Sequence, residues 1–151
     1  MTNRADVVGF DAQGDVVLVA DVKARYGASR TWAAQFRRNL LSHGFVRNAR
    51  FFLIALPDRF YLWTGAPSDQ TELPPTYDVD PSPFLEPYFR AAGIPPDRIT
   101  GNAFELMLAS WLNSLTRMEE PPASLKEQPW LFESGLLDAL RGGSIAYGVA
   151  A

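Results

Sequence analysis

An acidic and a basic side chain stand two positions apart at the end of an apolar stretch. The apolar residues 16–20 are followed by Asp21, Val22 and Lys23. Because alternate residues of a strand share a face, Asp21 and Lys23 would project side by side. Removing these charged groups from water costs free energy unless something pairs or uses them. The doublet therefore indicates a functional site or, as the alternative, an ordinary ion pair at the rim of a sheet.

A second carboxylate, Asp6, is predicted to join the doublet through a hairpin. Residues 5–10 are typical of a short strand, and the polar, glycine-containing residues 11–15 predict a turn into a strand over residues 16–23. Antiparallel pairing would bring the start of the first strand beside the end of the second. Two carboxylates and an ammonium group at one edge can hold a divalent cation and position a water molecule.

Apolar periodicity predicts the elements that must support this edge. A helix over residues 30–42 has an apolar stripe that includes Trp32 and Phe36, while Arg37 is expected to face water. We predict one domain over residues 1–151, with a core at about 4–66, a connector at about 67–83 and a helical part at about 84–151. The remaining predicted elements are strands at residues 51–56 and 60–64, a tight turn at 57–59, and helices at 83–92, 102–116 and 131–141.

The amino-acid composition excludes some kinds of metal site and of enzyme. The chain has no cysteine and a single histidine, His43, which excludes a zinc site built on His and Cys within one chain. Any bound metal should therefore have oxygen ligands, which points to Mg²⁺ or Mn²⁺. No apolar run approaches the ~20 residues of a membrane helix, and no apolar signal segment begins the chain, so we expect a cytoplasmic protein without a membrane partner. The sequence does not support an enzyme that acts on small molecules, because it has no phosphate-binding loop or dinucleotide fingerprint.

The charges are distributed unevenly. Residues 1–50 carry eight basic and four acidic groups, a net charge of +4, whereas residues 51–151 carry six basic and thirteen acidic groups, a net charge of −7. A basic segment around a carboxylate pair suits a phosphodiester-binding site, because cations hold the backbone while carboxylates hold the metal. The alternative is that the arginines simply decorate solvated helix faces.

Asp6, the hairpin, the residues Asp21-Val22-Lys23 and a following helix that bears Gln35 resemble the core of the PD-(D/E)XK nuclease superfamily. The resemblance covers roughly residues 4–64, and residues 56–63 are also similar to restriction-endonuclease-like proteins of bacteria. It implies an α/β fold in which a central mixed β-sheet is flanked by helices, here with a helical C-terminal extension.

The resemblance also implies roles for single residues. Asp6 and Asp21 match the metal-binding acids, and Lys23 matches the lysine that orients the attacking water and stabilises charge on the phosphate. Gln35 matches a glutamine that some members carry on the helix. Ala5 stands where many members have Pro, and position 21 is Asp where Glu is commoner.

The leading helix of the family has no counterpart in this sequence, because only five residues precede Asp6. Another segment or a partner chain would then have to cover that side of the sheet, unless the native start lies upstream.

Two hypotheses follow. The first is a Mg²⁺- or Mn²⁺-dependent nuclease that acts on DNA or RNA, with Arg25, Arg30 and Arg38 as candidates for contacts with the nucleic-acid backbone. The second is a non-catalytic restriction-endonuclease-like module that forms a homodimer or binds a protein partner through its acidic C-terminal half. The aromatic residues that would serve the second hypothesis are Trp63, Tyr88 and Trp130.

Overall fold

Six strands form a mixed open β-sheet that is covered by helices on both faces, an α/β architecture. The computed structural model describes residues 5–42, 49–65, 72–119 and 123–147. The strands are β1 (Val7–Phe10), β2 (Val16–Val22), β3 (Phe51–Ala55), β4 (Phe60–Thr64), β5 (Tyr77–Val79) and β6 (Ser144–Tyr147), in the spatial order β5-β4-β3-β2-β1-β6.

The hairpin between β1 and β2 forms as predicted. The Asp11 carboxylate accepts hydrogen bonds from the backbone N–H groups of Gln13 and Asp15, both at 2.9 Å, and thereby closes the turn. The antiparallel register places Val7 opposite Ala20, so the residue before β1 meets the end of β2.

The strands β2 and β3 are the parallel pair of the sheet, and the other neighbouring strands are antiparallel. Their connection contains the predicted helix α1 (Arg30–Ser42). The Ser29 hydroxyl caps this helix by accepting a hydrogen bond from the Trp32 N–H at 3.1 Å. The parallel register puts Val22 opposite Ala55, and the carboxyl ends of β2 and β3 therefore lie together.

One face of the sheet packs against α1 and buries an arginine of that helix. Val19 and Ile54 contact the helix through Ala33 and Leu41 in an apolar layer. Arg37 was expected in water, but it is only 2% exposed. Its guanidinium lies 5.8 Å from the ring centre of Phe52 and 5.5 Å from that of Trp63, so the aromatic faces of the sheet accommodate the cation.

The opposite face is covered by the C-terminal helices. These are α2 (Ser82–Ala92), α3 (Gly101–Thr116), α4 (Ala123–Lys126), α5 (Pro129–Glu133) and α6 (Leu136–Leu140), with a 3-10 turn at Pro96–Arg98. Phe104, Leu108 and Leu112 of α3 are fully buried against Leu18 and Leu53 of the sheet. The C-terminal helices thus cover this face of the sheet.

Three predicted elements differ from the structure. The helix expected over residues 131–141 is divided into α5 and α6, because Gly135 adopts a φ of 85° that ends a helix. The predicted connector contains β5, and the predicted helical part ends in β6, which pairs with β1. Both strands have at most four residues and lie at the sheet edges, where they bury too little to create an apolar pattern.

Some predicted features fall outside the described residues, namely His43 and the part of the connector at residues 67–71. Within the described ranges, no helix is both long and apolar enough to cross a bilayer.

Candidate functional site at the ends of β2 and β3

Asp6 immediately precedes β1 and extends its pairing with β2. Its backbone N–H donates to the Ala20 carbonyl at 3.1 Å, which holds the residue against β2. One oxygen of its side chain, Oδ2, accepts a hydrogen bond from the Val22 N–H at 2.8 Å. The Asp6 carboxylate therefore completes the β1–β2 ladder and turns toward the end of β2.

Asp21 occupies the inner side of this edge. It lies on the same face of β2 as Val19, which contacts α1, and the residue is only 7% exposed. Its Oδ2 is buried and has no hydrogen-bond partner within the described residues. A buried carboxylate oxygen without a hydrogen bond costs free energy, and the Lys23 ammonium, 3.8 Å from this oxygen, compensates part of that cost.

Lys23 lies on the solvent side of Asp21. Its backbone N–H donates to the Ala55 carbonyl at 3.1 Å, and this bond fixes the residue at the end of the parallel pair. Its Nζ lies 3.8 Å from Oδ2 of Asp21 and 4.9 Å from the ring centre of Phe36 on α1. Because 44% of its side chain is exposed, the ammonium group can meet a ligand that arrives from solvent.

The electrostatics of the site are dominated by the burial of Asp21. Burial raises the pKa of Asp21 from 3.8 to about 7, against the lowering effect of the Lys23 ammonium. The neighbouring Asp6 carboxylate also raises the pKa of Asp21, because two like charges at one edge resist ionising together. Asp6 and Lys23 thus each interact with Asp21, at the edge where the hairpin predicts the three residues.

The donor set suits a hard cation that keeps part of its water shell. Mg²⁺ is commonly bound through one or two carboxylates while several waters remain on it, and Asp6 and Asp21 supply two carboxylates. Oδ2 of Asp21 is buried, makes no hydrogen bond and pairs with Lys23 at 3.8 Å, and it is the atom that such an ion would bind. No group of three or more His, Cys, Asp or Glu residues suited to a metal occurs in the described part of the chain.

Gln35 is exposed on α1, and its side chain makes no hydrogen bond to another described residue, Asp6, Asp21 and Lys23 included. Arg25 is also exposed, and its guanidinium lies 4.7 Å from the ring centre of Trp32, beside Lys23 in the loop after β2.

The other two candidate arginines face carboxylates. Arg30 lies 3.8 Å from Asp78, and Arg38 lies 3.9 Å from Glu72, in both cases through exposed side chains. Such surface pairs are weak, so the arginines can exchange these partners for a phosphate.

Two residues that no sequence pattern indicates, Asp58 and Tyr61, hold the loop that carries Lys23. Asp58 was assigned to turn chemistry alone, and the 57–59 turn does form, with a Leu56 N–H to Arg59 carbonyl bond at 3.0 Å. Oδ2 of Asp58 also accepts a hydrogen bond from the Gly27 N–H at 3.0 Å. The Tyr61 hydroxyl donates a hydrogen bond to the Ala28 carbonyl at 2.8 Å. Burial raises the pKa of Tyr61, so its hydroxyl remains protonated and able to donate. The parallel pairing of β2 and β3 brings these residues together, and no local sequence pattern predicts that pairing.

Two of the aromatic residues suggested for a protein partner are in the core. Trp63 is 3% exposed and Trp130 is 5% exposed, so neither can form a contact surface. Tyr88 is half-buried beside a shallow apolar groove of about 350 Å³ between α2 and α3.

Comparison of the chain with protein-family models, with curated proteins and with solved structures found no match.

Proposed function

We propose that this protein is a divalent-metal-dependent, nuclease-like hydrolase of nucleic-acid phosphodiester bonds, with a restriction-endonuclease-like fold. The observation that carries the proposal is the meeting of Asp6, Asp21 and Lys23 at the ends of a hairpin and a parallel strand pair. A rim ion pair alone would lower the pKa of Asp21, whereas burial and the neighbouring Asp6 carboxylate raise it in spite of the Lys23 ammonium at 3.8 Å. A bound cation would offset both of these effects.

Each residue then has a role that follows from its surroundings. Asp6 and Asp21 would hold Mg²⁺ or Mn²⁺, and a bound ion of this kind lowers the pKa of its water and polarises a phosphoryl oxygen. Lys23 reaches solvent with its ammonium group and would stabilise negative charge that develops on the phosphate.

The surroundings suit a polyanion on one side of the site. The exposed Arg25 follows Lys23 in the same loop, and Arg30 and Arg38 lie on the adjoining helix α1. This concentration of cations agrees with the net charge of +4 in residues 1–50. Phosphate contacts of this type supply affinity without reading sequence, so they support nucleic acid as a class of substrate.

The direct test is a nicking assay on single-stranded, duplex and branched DNA and on RNA, with Mg²⁺, Mn²⁺ or EDTA. We expect metal-dependent cleavage that Asp21→Asn abolishes and that Lys23→Ala lowers about 100-fold, since removal of one charge-stabilising group typically costs that much. Lys126→Ala, at an exposed lysine of α4, is the matched control and should cleave like the wild type. Equal activity in all four proteins would overturn the assignment.

The second candidate function is that of a non-catalytic module that self-associates. The observation that favours it is the apolar groove between α2 and α3, beside which Leu106 is 49% exposed. Light scattering after size-exclusion chromatography should then give a dimer for the wild type and a monomer for Leu106→Glu. A monomeric wild-type protein at all accessible concentrations would remove this candidate.

A further inference from the structure

We propose that the loop after β2 and the first turns of α1 form a platform that stacks an unpaired nucleobase, so that the site takes single-stranded nucleic acid. This inference rests on the proposed nuclease function and names the substrate class of the same site. The platform consists of Lys23 and Arg25 from the loop and of Trp32 and Phe36 from α1, and the exposed Tyr26 lies in the same loop.

The two helix residues form one aromatic surface. Trp32 and Phe36 are four positions apart and therefore share a face of α1. Their rings are stacked, with centres 5.1 Å apart and an angle of 10° between the planes. The Ser29 cap fixes the start of the helix and so the position of Trp32.

Each ring carries a cation from the loop. The guanidinium of Arg25 lies 4.7 Å from the ring centre of Trp32, and Nζ of Lys23 lies 4.9 Å from that of Phe36. Proteins that bind single-stranded nucleic acid commonly combine aromatic rings, on which bases stack, with cations that meet the phosphates. Because Arg25 lies over the Trp32 ring, a base would stack on this guanidinium or take its place on the ring. A guanidinium plane can itself stack on a base.

The platform is accessible. Of the four tryptophans, Trp63, Trp111 and Trp130 are 3%, 3% and 5% exposed, whereas Trp32 is only half-buried. Tyr26 adds a ring that is 56% exposed in the same loop. The hydrogen bonds of the loop to Asp58 and Tyr61 hold it in place before a ligand arrives.

Lys23 connects the platform to the carboxylates. Its Nζ contacts both Asp21 and Phe36, so a base on the rings places an adjoining phosphate next to the acidic pair. In a duplex the base faces are stacked on one another except at its two ends, whereas every unpaired base can offer a face to a protein ring. The geometry therefore selects a single strand over a duplex.

The opposing interpretation is that these contacts only cover the edge of the core. In that case, loss of the Trp32 ring would change stability but leave nucleic-acid binding as it was.

The test measures binding by the full-length protein in EDTA, where no metal-dependent cleavage occurs. Fluorescence anisotropy would follow a labelled 12-nucleotide DNA strand, the RNA strand of the same sequence and the DNA duplex, and tryptophan emission would be recorded in parallel. We expect the single strands to bind at least ten-fold more tightly than the duplex and to quench tryptophan emission. Trp32→Leu should lose the quenching and about ten-fold in single-strand affinity, and Trp32→Phe should keep most of the affinity.

Matched control variants test whether the loss of any exposed aromatic ring or any exposed cation lowers binding to the same extent. Phe132→Leu removes an aromatic side chain that is 42% exposed on α5, and Lys126→Gln removes a cation on α4; both should bind like the wild type. If Trp32→Leu does not fold, Arg25→Gln carries the test, because its side chain is exposed. At least a three-fold loss of single-strand affinity supports the platform, and unchanged affinity overturns it.

The result also distinguishes this inference from the proposed function. Selective single-strand binding without metal-dependent cleavage would overturn the hydrolase assignment and leave the platform. Cleavage that requires Asp21 while single strand and duplex bind equally, or while Trp32→Leu binds like the wild type, would overturn the platform and leave the hydrolase.

Discussion

Replacement of Asp21 by Asn tests whether the buried carboxylate destabilises the protein when it is charged. Asn has nearly the same shape as a protonated Asp, so the substitution removes the ionisation and keeps the packing. The Asp21 side chain is 10% exposed, and the solvent therefore screens its charge little. We expect Asp21→Asn to be more stable than the wild type at pH 8 in EDTA.

The direction of this stability difference follows from the raised pKa of Asp21. Burial raises the pKa of Asp21 from 3.8 to about 7, so between these two pH values the folded chain binds more protons at this group than the unfolded chain. The free energy of unfolding must then decrease as the pH rises through this window. At about 1.4 kcal/mol per pH unit, the decrease amounts to at most about 4 kcal/mol, and it is complete above pH 7.

Equilibrium unfolding in urea, followed by tryptophan fluorescence from pH 4 to pH 8, measures this decrease. The difference between Asp21→Asn and the wild type should be small at pH 4 and grow to several kcal/mol at pH 8. Asp15→Asn is the matched control, because Asp15 is exposed in the β1–β2 turn, and its profile should parallel the wild type. An Asp21→Asn protein that is less stable than the wild type at pH 8 would refute the reasoning, since Lys23 would then more than compensate the buried charge.

Three further predictions concern the support of the site. Lys23→Met should move the decrease in stability to higher pH, because the ammonium lowers the pKa of Asp21, and the same urea series would show no movement if the pair is not coupled. Tyr61→Phe should cost about 1 kcal/mol and speed amide exchange in the loop after β2; unchanged exchange would mean that this hydrogen bond does not hold the loop. Gly143→Ala should lower the melting temperature, because the new Cβ would lie 1.8 Å from the Phe10 carbonyl oxygen; an unchanged value would contradict the close approach of β6 to β1.

The elements with strong local signals were predictable from the sequence. The hairpin at Asp11–Asp15, the helix capped by Ser29 and the fully apolar β3 each depend on residues next to one another along the chain. Asp6 could be placed beside Asp21 because a short hairpin leaves few possible registers. The proximity of these two residues therefore follows from local structure.

The features that depend on distant contacts were not predictable. Arg37 is buried because Phe52 and Trp63 of two other strands present their rings to it, and a helix pattern does not contain that information. Asp58 reaches Gly27 only because β2 and β3 are parallel neighbours. Trp32 and Phe36 belong to the predicted apolar stripe of α1, but their contacts with Lys23 and Arg25 depend on the path of the loop between β2 and α1, which helix periodicity does not predict.

The energetic balance at Asp21 makes ionisation of this carboxyl costly to the fold. An ion pair that stabilised the fold would lower the pKa of the acid, but the pKa of Asp21 rises although Lys23 lies 3.8 Å away. The lysine is itself partly exposed and contacts Phe36, so water weakens its attraction for the carboxylate. In the absence of a ligand, the protein thus becomes less stable as Asp21 ionises. A cation held by Asp6 and Asp21 would reverse this effect, and Mg²⁺ should therefore stabilise the wild type at pH 8 and leave Asp21→Asn unchanged.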